Sequence, residues 1–174
     1  NNPTISYNNV SNVDKIYPIE NNGYFFVLLD GTVSAFGDNS NKRLCIDTTT
    51  TNIDNITPCD LINAYVVGGV KVDKIVSRSP DSTYILLTNG RILSTWYSSN
   101  FVSGRNNSSD FIGYVEHFDA SNDDKYAVDI ANINSNQFVA VSRSRKLYTW
   151  GVITNGYFLG TNLTANQYIP QLVT

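Results

Sequence analysis

The sequence predicts an all-β fold in which three four-stranded antiparallel blades form a partial β-propeller. Two observations lead to this prediction. A short phrase returns three times, as Val-Asp-Lys-Ile at 13–16 and 72–75 and, in a shortened form, as Val-Asp-Ile at 128–130. Each copy is followed by an apolar run, a turn and an aromatic residue. The copies begin 59 and 56 residues apart (72 − 13 and 128 − 72). Repeats with a period in this range are typical of architectures in which each unit buries one face against the next.

A β-hairpin is expected after each copy of the phrase. The first unit has an apolar run at 24–29 followed by Asp30-Gly31, and the second has a run at 83–88 followed by Asn89-Gly90. Both dipeptides predict hairpin turns, because glycine adopts positive φ without strain. The corresponding turn of the third unit, at 142–145, has lost the glycine.

A fourth, outer strand completes each predicted blade. Pro58 precedes Leu61-Ile62 and Pro170 precedes Leu172-Val173, and proline at the start of an edge strand is expected because it cannot donate to a β-ladder. In the second unit the outer strand is expected at 111–118. Four short antiparallel strands per unit are typical of propeller blades. The chain is therefore interpreted as a single repeat domain, 1–174, with blades at approximately 1–67, 68–124 and 125–174.

The composition restricts the classes of partner. Hydrophobic residues make up 41% and charged residues 16% of the 174 residues, which is typical of a globular protein. A net charge of −3 gives no broad attraction for nucleic acid or anionic lipid. No apolar stretch approaches the ~20 residues that cross a bilayer. The basic cluster of Arg143, Arg145 and Lys146 is interpreted as a solvated hairpin turn. We therefore expect protein partners, and neither nucleic acid nor membrane.

The two cysteines, Cys45 and Cys59, flank one loop. If the ends of this loop meet, a disulfide forms that would contribute about 3 kcal/mol. Two free, partly buried thiols are the favoured alternative, because two cysteines are too few for a disulfide scaffold.

No catalytic, cofactor or metal site is predicted. The single histidine, His117, is placed on the expected outer strand of the second unit with Glu116 pointing to the opposite side, which argues against a Glu–His pair. The acidic segment 119–124 lacks the spacing of a calcium-binding helix–loop–helix and is interpreted as a polar turn. No catalytic triad, zinc-ligand cluster or phosphate-binding loop is found.

The third unit carries Trp150-Gly151, Asn155-Gly156, Leu159-Gly160 and Pro170 in that order. This order resembles the repeat of the regulator of chromosome condensation family, which pairs a Trp-Gly with a downstream Asn, Gly, Leu-Gly and Pro. The resemblance implies a β-propeller. The best-known member of that family is a guanine-nucleotide exchange factor for a small GTPase.

The other two units match the repeat more loosely. The first has Phe36-Gly37, Asn39, Leu44-Cys45 and Pro58, with Phe in place of Trp and Cys in place of the second Gly. The second unit keeps Gly90 and Trp96. A large aromatic residue at the end of a hairpin strand fills the gap between blades, and the following glycine turns the chain. The predicted repeat-structural residues are Gly31, Phe36, Gly37, Gly90, Trp96, Trp150, Gly151 and Gly160.

The number of blades suggests association. Closed propellers use ~4 to 8 blades, whereas this chain supplies three. Either the chain is an arc of a longer propeller, or copies of it assemble, because an arc leaves apolar blade faces and strand edges uncovered. A homo-oligomer or the remaining blades of a longer chain are the expected partners.

A non-catalytic interaction or structural module is the predicted function, with the loops 46–58 and 98–110 as binding loops. One version is a self-associating protein of a viral particle or of viral assembly, located in the virion or the host cytoplasm as a soluble protein. The alternative is an exchange or regulatory factor for a small GTPase.

Overall fold

The computed structural model describes residues 11–19, 23–79, 82–95, 103–106, 111–134, 136–153, 159–161 and 163–174. These residues form three separate four-stranded antiparallel sheets, in each of which the strands are adjacent in chain order. The prediction of three four-stranded antiparallel units is confirmed. Each sheet lies inside one of the three expected segments, although the exact blade boundaries stay a prediction.

The strands have the following bounds. The first sheet contains β1 (Val13–Ile19), β2 (Gly23–Leu28), β3 (Val33–Asp38) and β4 (Asn52–Pro58). The second contains β5 (Val72–Ser79), β6 (Ser82–Leu87), β7 (Ile92–Thr95) and β8 (Ile112–Tyr114). The third contains β9 (Ala127–Asn134), β10 (Gln137–Ser142), β11 (Leu147–Gly151) and β12 (Gln167–Leu172). Among the described residues, one short helix, α1 (Asp60–Asn63), and single 3-10 turns at Ser40–Lys42 and Asp123–Lys125 lie between strands.

The three sheets stack in order, and their inner strands β1, β5 and β9 are neighbours. Because side chains alternate along a strand, each sheet has two faces. We call the face toward the preceding blade the front face and the face toward the following blade the back face. One apolar core, which includes Phe25, Val27 and Ile85, lies between the first and second sheets. A second core, which includes Leu86 and Trp150, lies between the second and third.

The three hairpins share one turn geometry. The backbone N–H of Gly31, Gly90 and Arg145 donates to the carbonyl three residues earlier, at 2.8–2.9 Å. All three residues have positive φ, of 90°, 78° and 67°. This is the turn followed by a left-handed residue that closes three-residue hairpin loops. Glycine fits this conformation without strain, and Arg145 adopts it in the third unit despite its side chain.

The outer strands differ from the prediction in all three units. In the third unit β12 begins at Gln167 and contains Pro170, whereas the strand was expected to follow the proline. In the first unit the strand lies before the proline, as β4 ending at Pro58, and Leu61 and Ile62 belong to α1. Ile62 is fully buried in the core from this helix, and a short buried apolar pair does not by itself distinguish a helix from a strand. In the second unit β8 spans only Ile112–Tyr114, and His117 lies beyond it with a positive φ of 72°. The outer strand of this unit therefore lies within the expected segment 111–118 but is shorter than predicted, and the strand position of His117 was wrong.

The repeated phrase also has a different register in the third unit. Bulges fall at Asp14 and Asp73, so that Val13 and Lys15 pair with Leu28 and Val27, and Val72 and Lys74 pair with Leu87 and Leu86. In the third sheet Ala127 and Asp129 pair with Ser142 and Val141. The third phrase is consequently not shortened: Ala127 takes the place of the first valine, and Asp129 stands where the other units have lysine.

Cys45 and Cys59 are free thiols, and both are fully buried in the first core. The loop between them is organised by Asn39, whose side chain accepts from the backbone N–H of Leu44 at 3.1 Å and donates to the carbonyl of Ile46 at 3.4 Å. The loop that was expected at 46–58 is shorter than predicted, because the second half of this segment forms β4.

Candidate interaction surface on the first sheet

The same isoleucine of the repeated phrase is exposed in one blade and buried in two. Ile16 is 58% exposed, whereas Ile75 and Ile130, at the same strand position, are each 3% exposed. All three lie on the front face of their sheet, where they pair with Phe26, Ile85 and Ala140. Each buried isoleucine packs against the back face of the preceding sheet. Ile16 is exposed because no preceding sheet lies against it among the described residues.

Three aromatic side chains extend this exposed position into a surface. The ring of Phe36 lies 5.6 Å from that of Tyr24 and 5.8 Å from that of Phe26. Tyr24 is 45% exposed, and the two phenylalanines are half-buried. We call the surface formed by Ile16, Tyr24, Phe26 and Phe36 the open face.

Strand pairing explains why the sequence produces this surface. Ile16 pairs with Phe26 and Tyr24 pairs with Phe36, which places all four side chains on one side of the sheet. The intervening Phe25 and Val27 point to the opposite side and are fully buried against the second sheet. The run Tyr24–Val27 is thus apolar on both faces, as in a strand covered on both sides.

The third sheet shows how such a front face is covered. There Ile130, Phe138, Ala140 and Trp150 take the places of the open-face residues, and none of them is more than 3% exposed. They pack against Tyr84, Leu86 and Ile92 on the back face of the second sheet. Clustered exposed aromatics are enriched at protein interfaces and at their energetic hot spots, so the open face has the composition of an interface.

Glycine in the hairpin turn makes room for the next blade. A Cβ on Gly31 would lie 2.4 Å from Cγ and 2.9 Å from Cα of Lys71, which immediately precedes β5. A Cβ on Gly90 would lie 2.4–2.6 Å from the ring of Tyr126, which precedes β9. The carbonyls of the two glycines accept from the N–H of Val72 and of Ala127, at 3.3 and 2.9 Å.

Lysine–aspartate pairs join the inner strands of consecutive blades. Lys15 Nζ donates to Asp73 at 3.0 Å and Lys74 Nζ donates to Asp129 at 2.7 Å. The hydrogen bond with Asp73 raises the pKa of Lys15, against the smaller opposing effect of burial. Asp14 occupies the bulge position of Asp73 in the first blade and is exposed.

The back face of the third sheet is the other end of the stack. Val139, Val141 and Leu147 lie on it, and Leu147 is 40% exposed. The turn beside it holds the predicted basic cluster. Arg143 stacks on Tyr126 with its guanidinium carbon 3.3 Å from the ring centroid, and Lys146 Nζ lies 2.5 Å from Asp124.

The region of His117 forms a cleft of about 340 Å³ that Arg91, Tyr114 and Lys125 also line. His117 Nε2 donates to the carbonyl of Asp124 at 3.1 Å, and the imidazole lies 4.2 Å from the ring of Tyr148. Partial burial lowers the pKa of His117. The histidine therefore links the turn after β8 to the turn before β9, and its Nε2 is engaged in the hydrogen bond to the backbone carbonyl of Asp124.

The remaining predicted repeat residues are two tryptophans and three glycines: Trp96, Trp150, Gly37, Gly151 and Gly160. Trp150 is 1% exposed, and its indole N–H donates to the hydroxyl of Tyr84 at 3.1 Å. Gly37, one residue before the end of β3, and Gly151, the last residue of β11, have φ of 122° and 121°. A Cβ on Gly151 would lie 2.0 Å from the carbonyl oxygen of Asn136. Gly160 has φ of 72°. Trp96 lies outside the described residues.

Neither metal-binding clusters nor spanning helices are present in the described part of the chain. Among those residues, no group of three or more His, Cys, Asp or Glu side chains is arranged to hold a metal ion. The helical segments described are all too short or too polar to cross a bilayer.

Phe36 was predicted from the sequence to fill the gap between blades, but Ile16, Tyr24 and Phe26 were not predicted as its neighbours on an exposed surface. Tyr84 was not predicted as the hydrogen-bond partner of Trp150. The continuous apolar run of 24–27 was the signal that pointed to a strand with two apolar faces.

No protein-family model and no curated protein sequence matches the chain. Solved structures do. Human WBSCR16 is 19% identical with a TM-score of 0.68, over 94% of this chain and 40% of that one. Prp20p of Saccharomyces cerevisiae, from a structure that also reports its binding properties to Gsp1p and histones, is 15% identical with a TM-score of 0.71, over 95% and 39%. The complex of Kap60 with yeast RCC1 (Prp20) gives 14% identity and a TM-score of 0.72, over 95% and 37%.

The chain thus spans about two fifths of the length of the structures that it matches. At these identities the likeness establishes the fold. Together with the three stacked four-stranded sheets, it shows that the chain has the RCC1-like β-propeller repeat fold, over an arc of three blades.

Proposed function

We propose that the chain is a non-catalytic protein-interaction module whose open face binds another protein. The observation that carries this proposal is the contrast between Ile16, at 58% exposure, and its equivalents Ile75 and Ile130, at 3% each. A position that is buried at both internal junctions is left uncovered at the first sheet. The RCC1-like fold supports the same class of function, because blades of this kind bury their faces against protein surfaces.

The physical character of the open face supports binding. Its aromatic side chains stand on paired strands and pack on one another, so little conformational entropy is lost when a partner covers them. Truncating such clustered aromatic anchors typically costs a complex about 2 kcal/mol or more.

Capture by the immobilised chain from a lysate of the source organism tests this proposal. We expect the wild type to retain proteins that Ile16→Asp loses, since a carboxylate at the centre of the open face must be desolvated on binding. Leu147→Asp is the matched control, because Leu147 is comparably exposed at the opposite end of the stack. Retention of the same proteins by Ile16→Asp would contradict the proposal.

Regulation of nucleotide exchange on a small GTPase is a second candidate. It is favoured by the likeness to Prp20p, for which binding to Gsp1p is reported. A nucleotide-release assay against a panel of small GTPases tests it: acceleration by the chain is the expected result, and unchanged release across the panel would remove the candidate.

A further inference from the structure

We propose that the open face receives the back face of a propeller blade that carries a glycine in its hairpin turn and a basic side chain on its inner strand, and that a second copy of this chain is not that blade. This inference rests on the proposed function and specifies the partner of the same surface. The partner blade is supplied by polypeptide outside these 174 residues. Four observations lead to it.

The first observation is the glycine at each internal junction. A Cβ on Gly31 would lie 2.9 Å from the backbone Cα of Lys71, a contact that side-chain rotation does not relieve. Gly90 is as tightly covered by the ring of Tyr126. Asn12 precedes β1 as Lys71 and Tyr126 precede β5 and β9, and each accepts from the turn of its own hairpin. A blade that docks on the first sheet in the same way must present a glycine to Asn12.

The second observation is the charge on the inner strand. Lys15 reaches across the first junction to Asp73, which is the bulge residue of β5. Asp14 is the bulge residue of β1 and is exposed. Repetition of the first junction therefore pairs Asp14 with a cation from the inner strand of the docking blade. At the second junction, where Val128 is the bulge residue, the lysine of the inner strand pairs with Asp129 instead. The complementary charge fixes register and orientation more than affinity.

The third observation is that the chain's own back face lacks both features. Arg145 stands at the position of Gly31 and Gly90, with the same hydrogen bond and a φ of 67°. Its Cβ would meet Asn12 of a second copy as closely as a Cβ on Gly31 would meet Lys71. Asp129 stands at the position of Lys15 and Lys74, so the copy would bring to Asp14 a carboxylate, already paired with its own Lys74, where the first junction has a lysine. Like charges brought together at an interface are unfavourable.

The fourth observation is that the rest of the back face is suitable. Val139, Val141 and Leu147 present an apolar surface where Phe25, Val27 and Val33 cover the second sheet. The barrier to head-to-tail association is thus confined to the turn and the inner strand. Self-association, which the number of blades suggested, is therefore not favoured by the junction chemistry.

Light scattering across a dilution series of the full chain tests this inference. The wild type is expected to remain monomeric. Arg145→Gly restores the junction glycine, and we expect the weight-average mass to rise with concentration toward about twofold or more, since head-to-tail contacts do not stop at a dimer unless they close. Arg145→Ala is the matched control: it removes the charge but keeps the Cβ, so it is expected to remain monomeric.

Two further variants test which residues form the contact between copies. Adding Asp129→Asn to Arg145→Gly removes the like charge together with the exposed pair to Lys74, and we expect association at lower concentration. Adding Ile16→Asp to Arg145→Gly is expected to restore the monomer, because it places a carboxylate in the apolar contact. Circular dichroism of each variant establishes that it is folded.

Two outcomes would overturn the inference. A wild-type multimer that Ile16→Asp dissociates would mean that a second copy does fit the open face. A folded Arg145→Gly/Asp129→Asn variant that stays monomeric would mean that the glycine and the charge do not govern docking. Neither result touches the proposed function, which fails only if Ile16→Asp leaves captured proteins unchanged.

Discussion

Gly90 and the ring of Tyr126 meet across the junction between the second and third blades, at a spacing that leaves no room for a Cβ. The turn itself does not require the glycine, because Arg145 adopts the same positive φ in the third hairpin. The glycine is therefore needed for the neighbouring blade. Gly31 stands in the same relation to Lys71.

Gly90→Ala is expected to destabilise the chain by about 3 kcal/mol, from about 1 kcal/mol of left-handed strain and the remainder from overpacking against Tyr126. Gly69→Ala is the matched control, because Gly69 has φ of 83° with no atom within 4 Å of the added Cβ. Urea unfolding measures both free energies. Equal losses for the two variants would show that only backbone strain is involved.

Tyr84→Phe is expected to cost about 1–3 kcal/mol of unfolding free energy, because it leaves the buried indole N–H of Trp150 without its acceptor. The ring of Tyr84 stays in place against Phe138, whose centroid lies 4.1 Å away, so the loss isolates the hydroxyl. Tyr24→Phe, on the exposed open face, is the control and should change stability little. A loss no larger than that of the control would contradict the assignment.

Stability is expected to fall as the pH drops from about 7.5 to 5.5, in part through His117. Burial is the largest cause of its lowered pKa, and Lys125 adds to it, whereas the bond to Asp124 and the charges of Asp119 and Asp124 oppose it. The unfolded chain therefore binds the proton first, so this contribution is present above the unfolded pKa of about 6.5 and is lost below it.

The variant His117→Gln removes the titrating group and separates it from the carboxylates. We expect its stability to fall less than that of the wild type over the same range of pH, as measured by urea unfolding at each pH. Parallel profiles for the two proteins would mean that His117 does not titrate differently on folding.

The thiols of Cys45 and Cys59 are expected to react with Ellman's reagent only after denaturation. Burial raises the pKa of both, and the thiolate is the reactive form. Absorbance should show no release from the native protein and two equivalents per chain in denaturant. No release in denaturant would reveal a disulfide, and fast release from the native protein would mean that the thiols are accessible.

The hairpins were predictable from sequence because their information is local. Asp30-Gly31 and Asn89-Gly90 between apolar runs indicate a turn and two strands without reference to the rest of the chain. The outer strands were harder to predict. β4 contains two asparagines and an aspartate and is held mainly by pairing with β3, whereas the apolar Leu61-Ile62 that suggested a strand belongs to a four-residue helix.

The open face could not be predicted as a surface, for a related reason. Ile16 and Ile75 occupy the same place in the same four-residue phrase, and nothing local distinguishes the exposed isoleucine from the buried one. The difference arises from whether another sheet lies in front, which is a property of the stack. The absence of a glycine from the third hairpin turn can be read from the sequence. Its effect on docking could be inferred only once the position of the next blade against the turn was known.

Thiol labelling of Ile16→Cys, Ile75→Cys and Ile130→Cys, each as a single substitution, tests the stacked arrangement and its open face most directly. The three sites are equivalent in the repeat, and the native cysteines are buried, so the background is low. We expect the cysteine at 16 to react at the rate of an exposed thiol, and those at 75 and 130 to react many-fold more slowly, through opening of the fold. Equal rates at all three positions would contradict the account.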